Sequence, residues 1–154
     1  MIYNIFYNST KDISWCTDGD ISDSVKTAQA DLGLSFLALD LAQIPECDKY
    51  YINADEDGVV AYSSFSLSYS ATTIAIDGTV TITGCPAGTE IFMDTVSQGT
   101  YSSGDLTLTG SMAGSFALTF KKDKYYDAGT QIKVTKKSGG RSSLVGPGCR
   151  EVGK

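Results

Sequence analysis

Residues 72–83 read Thr-Thr-Ile-Ala-Ile-Asp-Gly-Thr-Val-Thr-Ile-Thr, and Gly84-Cys85-Pro86-Ala87-Gly88 and Thr89-Glu90-Ile91-Phe92-Met93 follow. Val80 and Ile82 alternate with Thr79, Thr81 and Thr83, the period of two that puts one side of a strand in a core and the other in water. The Gly-Cys-Pro-Ala-Gly interruption is turn chemistry, and Ile91 restarts the pattern. Downstream the same grammar repeats. Short runs at 72–76, 79–83, 90–93, 96–101, 105–109, 115–121 and 130–136 carry alternating faces such as Leu106/Leu108, Phe116/Leu118/Phe120 and Ile132/Val134. Asp77-Gly78, Asp94-Thr95, Ser103-Gly104, Gly110, Gly114 and Asp127-Ala128-Gly129 separate them. Seven strands in about 65 residues, none alternating with a helix, predict a mainly β chain with a small sandwich and no parallel strands after residue 71.

Upstream, the pattern is that of a small α+β unit. A hairpin of 2–7 with 13–16 turns through Asn8-Ser9-Thr10-Lys11-Asp12. A helix begins at Ser22 or Asp23, with Val25, Ala28, Gln29 and Leu32 on one face and Gly33 at its C-terminal end. Residues 35–41 read as a strand, and 49–53 with 59–62 as a hairpin around Asp55-Glu56-Asp57-Gly58. That acidic tip lacks the further oxygen ligands and closing Glu of a calcium loop, so it reads as a solvated turn. In 63–70, Phe65, Leu67 and Tyr69 alternate with serines, as in an edge strand or an extended connector laid across a partner. The expected division is an attachment domain at 1–70, a sandwich at 71–137, and a flexible or partner-ordered tail at 138–154.

Charge and composition exclude several functions. Residues 1–70 hold 11 acidic and 3 basic side chains, a net of −8, whereas 71–154 hold 7 acidic and 9 basic, a net of +2. An acidic front half repels phosphate and argues against nucleic acid as a partner. The basic residues from Lys121 onward read as a solvated rim or as a surface docking on an acidic neighbour, another copy's front half included. The chain contains no His, which removes Ser-His-Asp and Cys-His catalysis and His-ligated metals. The carboxylates sit in Asp-Gly turns open to water, not in the apolar pockets that raise a catalytic pKa. Neither a phosphate-binding loop nor a nucleophile elbow is present. No catalytic, cofactor-binding or metal-ligating residue is expected, and the reading is of a protein that is not an enzyme.

Cys16, Cys47, Cys85 and Cys149 form no CxxC pair, and two disulfides remain formally open. The opening Met1–Tyr7 has no basic region ahead of its apolar residues, so no signal peptide is expected and the cysteines are read as free thiols made in a reducing cytoplasm. Cys85 and Cys149 are expected in loops, not in core packing. No apolar run is long enough for a membrane helix.

Five aromatic residues are the candidates for partner binding. Trp15, the only Trp, and the Tyr50-Tyr51 pair mark the front unit; the alternative for Trp15 is the core of its own hairpin. Tyr125 and Tyr126 follow Lys122-Asp123-Lys124, where adjacent aromatics on a strand cannot both face inward. They are expected on an exposed loop of an outward-projecting sandwich, with 1–70 making the attachment.

The stretch 73–94, with its Pro86-Ala87-Gly88-Thr89 turn, resembles the Ig-like sandwich at the C-terminus of small tailed-phage virion proteins. Asp105-Leu106-Thr107-Leu108-Thr109, Ala113-Gly114-Ser115-Phe116 and Lys124-Tyr125-Tyr126-Asp127 fall where that family has its later strand, turn and tyrosine loop. The Pro-Ala-Gly-Thr element is also similar to surface-layer PEGA-type repeats. Tyr7-Asn8-Ser9-Thr10-Lys11-Asp12-Ile13 resembles the opening of phage tail proteins, although Asn8 and Lys11-Asp12 replace the family's Asp and Gly. The resemblance implies a non-enzymatic virion component that binds other virion proteins or further copies of itself, on the tail as a fibre, hub or knob piece. The alternatives are capsid decoration, or a tail protein that binds or hydrolyses host-surface glycan and so contacts a host receptor.

Overall fold

A computed structural model describes residues 1–137. The tail at 138–154, with Arg141, Cys149, Arg150 and Lys154, lies outside the described residues.

The front unit is built around β1 (Ile2–Tyr7), which lies between β2 (Ile13–Asp18) and β3 (Ser35–Asp40) and is antiparallel to both. Its run of β-branched and aromatic residues suits a central strand, and it is buried on both faces from Tyr3 to Tyr7. On one face, Ile5 and Tyr7 join Ile13 and Ile52 in a core beneath the hairpin of β4 (Tyr50–Ile52) and β5 (Val59–Ala61). On the other, Phe6 stacks on Trp15, centroids 4.4 Å apart, and tilts against Phe36 at 5.2 Å. Helix α1 (Asp23–Asp31) lies beside β3, with Gly33 at φ +79° closing its C-terminus through bonds from the Gly33 and Leu34 amides to Ala30 and Gln29 carbonyls.

Of the face expected to turn inward, only Gln29 does so. Val25 and Leu32 are exposed, while Gln29 accepts from the Trp15 indole at 3.2 Å and the Lys26 ammonium lies 5.0 Å from the Phe36 centroid. A flat aromatic surface is covered well by the aliphatic stems of Lys and Gln, whose polar ends also reach a partner or water, and those two residues win the inward positions.

The second half has two sheets. One has the order β11 (Leu106–Thr109), β8 (Thr79–Thr83), β6 (Ser68–Tyr69). The other runs β10 (Val96–Thr100), β9 (Glu90–Met93), β12 (Gly114–Lys121), β13 (Ala128–Thr135), β7 (Thr73–Ala75). Val80 and Ile82 of the first sheet and Ile91, Leu118, Phe120 and Ile132 of the second form one buried cluster, so the sheets pack face to face. The fold is mainly β, as expected.

Three expectations need correction. β7 and β13 are parallel, pairing Lys133 with Thr73 and Thr135 with Ala75. A parallel pair needs a long crossover, usually a helix; here the five strands β8 to β12 supply the connection, so the absence of a helix excluded nothing. Second, β6 pairs with β8, and Phe65, Leu67 and Tyr69 pack on the sandwich cluster. By its contacts, 65–69 belongs with the strands after residue 79 and not with an attachment domain ending at 70, because its apolar face is complementary to Val80 and Ile82. Third, Cys85 follows β8 in a loop yet is half-buried against the same cluster.

Candidate functional site

The loop between β12 and β13 folds back onto the front unit, and Lys124 is its anchor. Lys124 has φ +62°, and its ammonium donates to Asp12 Oδ1 at 2.6 Å and to the Thr10 carbonyl. It lies 4.9 Å from the Tyr51 ring centroid and 5.9 Å from that of Tyr62, a two-ring cation–π seat. Only 17% of the Lys124 side chain is exposed. Backbone bonds close the junction: the Ser63 amide donates to the Lys124 carbonyl, and the Tyr126 amide to the Ser63 carbonyl, both at 2.9 Å.

Rings extend from this anchor. Tyr51 and Tyr62 are 5.3 Å apart, Tyr62 and Tyr126 5.7 Å, and Phe65 and Tyr125 5.1 Å. Phe65 continues to Phe120 in the sandwich core at 6.4 Å. Cys47, Asp48, Tyr62, Tyr125, Tyr126 and Asp127 surround a shallow hollow of about 250 Å³. A second hollow of about 280 Å³ enters the sandwich among Ile74, Leu108, Met112, Phe116 and Val134, and no titratable side chain lines it.

The junction's electrostatics centre on Asp12. Burial alone would raise its carboxyl, but bonds from Lys124, Thr10 and Tyr62 and the Lys124 charge hold it well below the usual carboxylate range. The Tyr62 hydroxyl donates to Asp12 Oδ1 at 2.5 Å, and the Thr10 hydroxyl to Asp12 Oδ2 at 2.6 Å. Burial, and then the Asp12 carboxylate, push the Tyr62 phenol far above its ordinary value. Asp12 is therefore a permanent acceptor and Tyr62 a permanent donor around neutral pH.

Of the five residues singled out in the sequence, the fold gathers three. Tyr51, Tyr125 and Tyr126 meet at the junction. Backbone bonds to Ser63 hold this loop against the front unit, so Tyr125 is half-buried, while Tyr126 stays exposed on the loop with its ring beside Tyr62. Tyr50 packs beside the Ile5–Ile52 core. Trp15 lies on the α1 side of the front sheet, stacked on Phe6 in its own hairpin. Sequence reasoning missed Asp12, Tyr62, Phe65 and Lys124 as a set. Asp12 and Lys124 stand 112 residues apart, and no local pattern pairs them; the charge contrast between the halves is the only trace.

The acidic tip is organised by Asn53, whose Oδ1 accepts from the Asp57 and Gly58 amides at 3.0 and 3.1 Å, while Glu56 pairs with Lys11. Among the described residues no three His, Cys, Asp or Glu side chains converge to hold a metal ion, and no helix is long and apolar enough to cross a membrane. Comparison of the chain with protein-family models, curated proteins and solved structures finds no match.

Proposed function

We propose that this chain is a non-enzymatic structural component of a tailed-phage virion, an accessory piece of the tail that binds other virion proteins. What supports the non-enzymatic part is the junction's geometry, in which Asp12, Tyr62 and Lys124 are bonded to one another, and the shifts of its groups agree with it. Asp12 is pushed down and Tyr62 up, both away from neutral pH, whereas acid–base catalysis needs a group drawn towards it. Their polar atoms are spent on each other and on Lys124, which fixes two units in place.

The setting rests on the resemblance of 73–94 and on strand order. Strands β11, β8 and β6 face β10, β9, β12, β13 and β7, two packed sheets that are compatible with the sandwich the resemblance implies. The front unit makes the attachment in this reading, and its charge of −8 suits a basic partner surface. A β-sandwich joined through the Lys124 junction to a small acidic base fits a protein that is positioned by its neighbours.

The test uses the full chain added to particles assembled without it. Binding should weaken as salt rises, and charge-reversing substitutions at Asp18, Asp20 and Asp31 should abolish it while a Val96→Asp change on β10 leaves it intact. Loss through β10 alone would reverse the proposed orientation. A copy number that is a small multiple of the tail's rotational symmetry supports a tail position, and hundreds of copies would move the protein to the capsid shell as decoration. Release of reducing ends from host glycan by the purified chain would end the non-enzymatic reading.

A further inference from the structure

Cys16 and Cys47 are 31 residues apart in sequence, and their sulfurs stand 3.9 Å apart. Cys16 projects from β2 beside the front core, and Cys47 sits in the connection from β3 to β4; both are half-buried and both pack on the Ile5–Ile52 cluster. An S–S bond of about 2.05 Å requires the sulfurs to approach by roughly 2 Å. The two thiols differ in access. Cys47 lines the tyrosine hollow with Asp48, Tyr62 and Tyr126, whereas Cys16 lies behind it with its thiol directed at the Pro45 carbonyl, 3.0 Å away.

We propose that Cys16 and Cys47 form a reversible intramolecular disulfide that ties the β3–β4 connection, and with it one wall of the tyrosine hollow, to β2. The oxidant is a low-molecular-weight disulfide reaching the hollow. The Cys47 thiolate, its proton passed to water, attacks one sulfur of that disulfide, forming a mixed disulfide and expelling one small thiolate. Cys16 then loses its proton and attacks Cys47 Sγ, expelling the second small thiolate. The two expelled thiolates take up the two protons, so the protein loses two hydrogens and the small disulfide is reduced to two thiols. The order follows from exposure. It agrees with the Cys16 thiol being pushed up to about 11, by burial first and then by the neighbouring Cys47, which makes Cys16 the poorer first nucleophile.

The experiment places the purified full chain, in wild-type and Cys85→Ala/Cys149→Ala forms, in glutathione buffers of graded ratio. Acid quenching, alkylation, intact mass and non-reducing peptide mapping follow. The expected result in both forms is a monomer lighter by two hydrogens, with the Cys16 and Cys47 peptides joined and the link fully reversed by excess dithiol. Cys16→Ser should instead accumulate the glutathione adduct on Cys47, and Cys47→Ser should react several-fold more slowly at Cys16. Both thiols still alkylated in the most oxidising buffer would overturn the proposal. So would a stable wild-type adduct on Cys47 with Cys16 still free, or a link from either residue to Cys85 or Cys149.

Discussion

The Asp12 carboxylate accepts from three side chains at once, and each donor anchors a different stretch: Thr10 the first hairpin, Tyr62 the segment after β5, Lys124 the loop between β12 and β13. Asp12→Asn keeps the shape and removes the charge, leaving the Lys124 ammonium between two rings with only the more distant and exposed Asp123 carboxylate, 3.9 Å away, as counterion. The expected cost is about 1–2 kcal/mol at neutral pH, kept modest by solvent screening, since 41% of the Asp12 side chain is exposed. The pH dependence follows from the downward shift. The folded value lies below the unfolded one near ~3.9, so the contribution is complete above that pH and disappears as pH falls towards the folded value. Urea unfolding should show the gap between wild type and variant unchanged from neutral pH to about pH 4 and narrowing as the pH falls further to about 3; a gap that stays constant down to about pH 3 would mean that the charge carries none of it. The β9–β10 turn holds a second residue-scale effect. Asp94 and Thr95 both have positive φ, +48° and +73°, as a two-residue hairpin turn demands. A β-branched Thr is strained there, so Thr95→Gly should raise stability by about 0.5–1 kcal/mol. An unchanged or lower denaturation midpoint would show the strain to be already relieved by its surroundings.

Strands were legible where one face is buried and the other wet. The alternations Val80/Ile82 and Phe116/Leu118/Phe120 place β8 and β12, and the Asp-Glu-Asp-Gly tip places the β4–β5 hairpin, to within a residue or two. Helix α1 was legible in extent and not in orientation, because the surface it covers is the Phe6–Trp15–Phe36 array assembled from three separate strands, and only that array makes Lys26 and Gln29 the inward residues. The segment 63–70 was legible as extended and ambiguous in allegiance, since its alternation would fit any apolar sheet face. Gly84 settles that allegiance in the fold. It has φ +78°, and a Cβ there would collide with the Ser66 carbonyl oxygen, so the chain leaving β8 passes directly against the 65–69 segment. Gly84→Ala combines a disfavoured backbone conformation with a backbone clash and should cost about 2 kcal/mol or more. Thermal unfolding measures it, and a variant as stable as wild type would mean that the two segments separate without penalty.

At the scale of the whole molecule, the front sheet and the sandwich have separate cores, and what links them is the Lys124 anchor, the two backbone bonds at Ser63 and the rings from Tyr51 to Phe65. This linkage was the least legible feature, because each partner reads locally as an ordinary turn acid, rim lysine or sheet tyrosine, and only the closed fold makes them neighbours. Their joint effect is measurable, because Trp15 is the only tryptophan and lies in the front unit, so its fluorescence reports that unit alone. Far-UV circular dichroism reports the strands of both. With the anchor in place, the two probes should unfold together, the signature of one cooperative transition. Lys124→Met keeps an unbranched apolar stem over Tyr51 and Tyr62 and removes the charge that Asp12 holds. The front unit, with the smaller core, then loses the contact that couples it to the sandwich, and its fluorescence transition should move to lower denaturant while the later part of the dichroism transition stays where it was. Coincident transitions in this variant would place the coupling in the Ser63 backbone bonds and the ring contacts, and would leave the Lys124–Asp12 pair with only a local role.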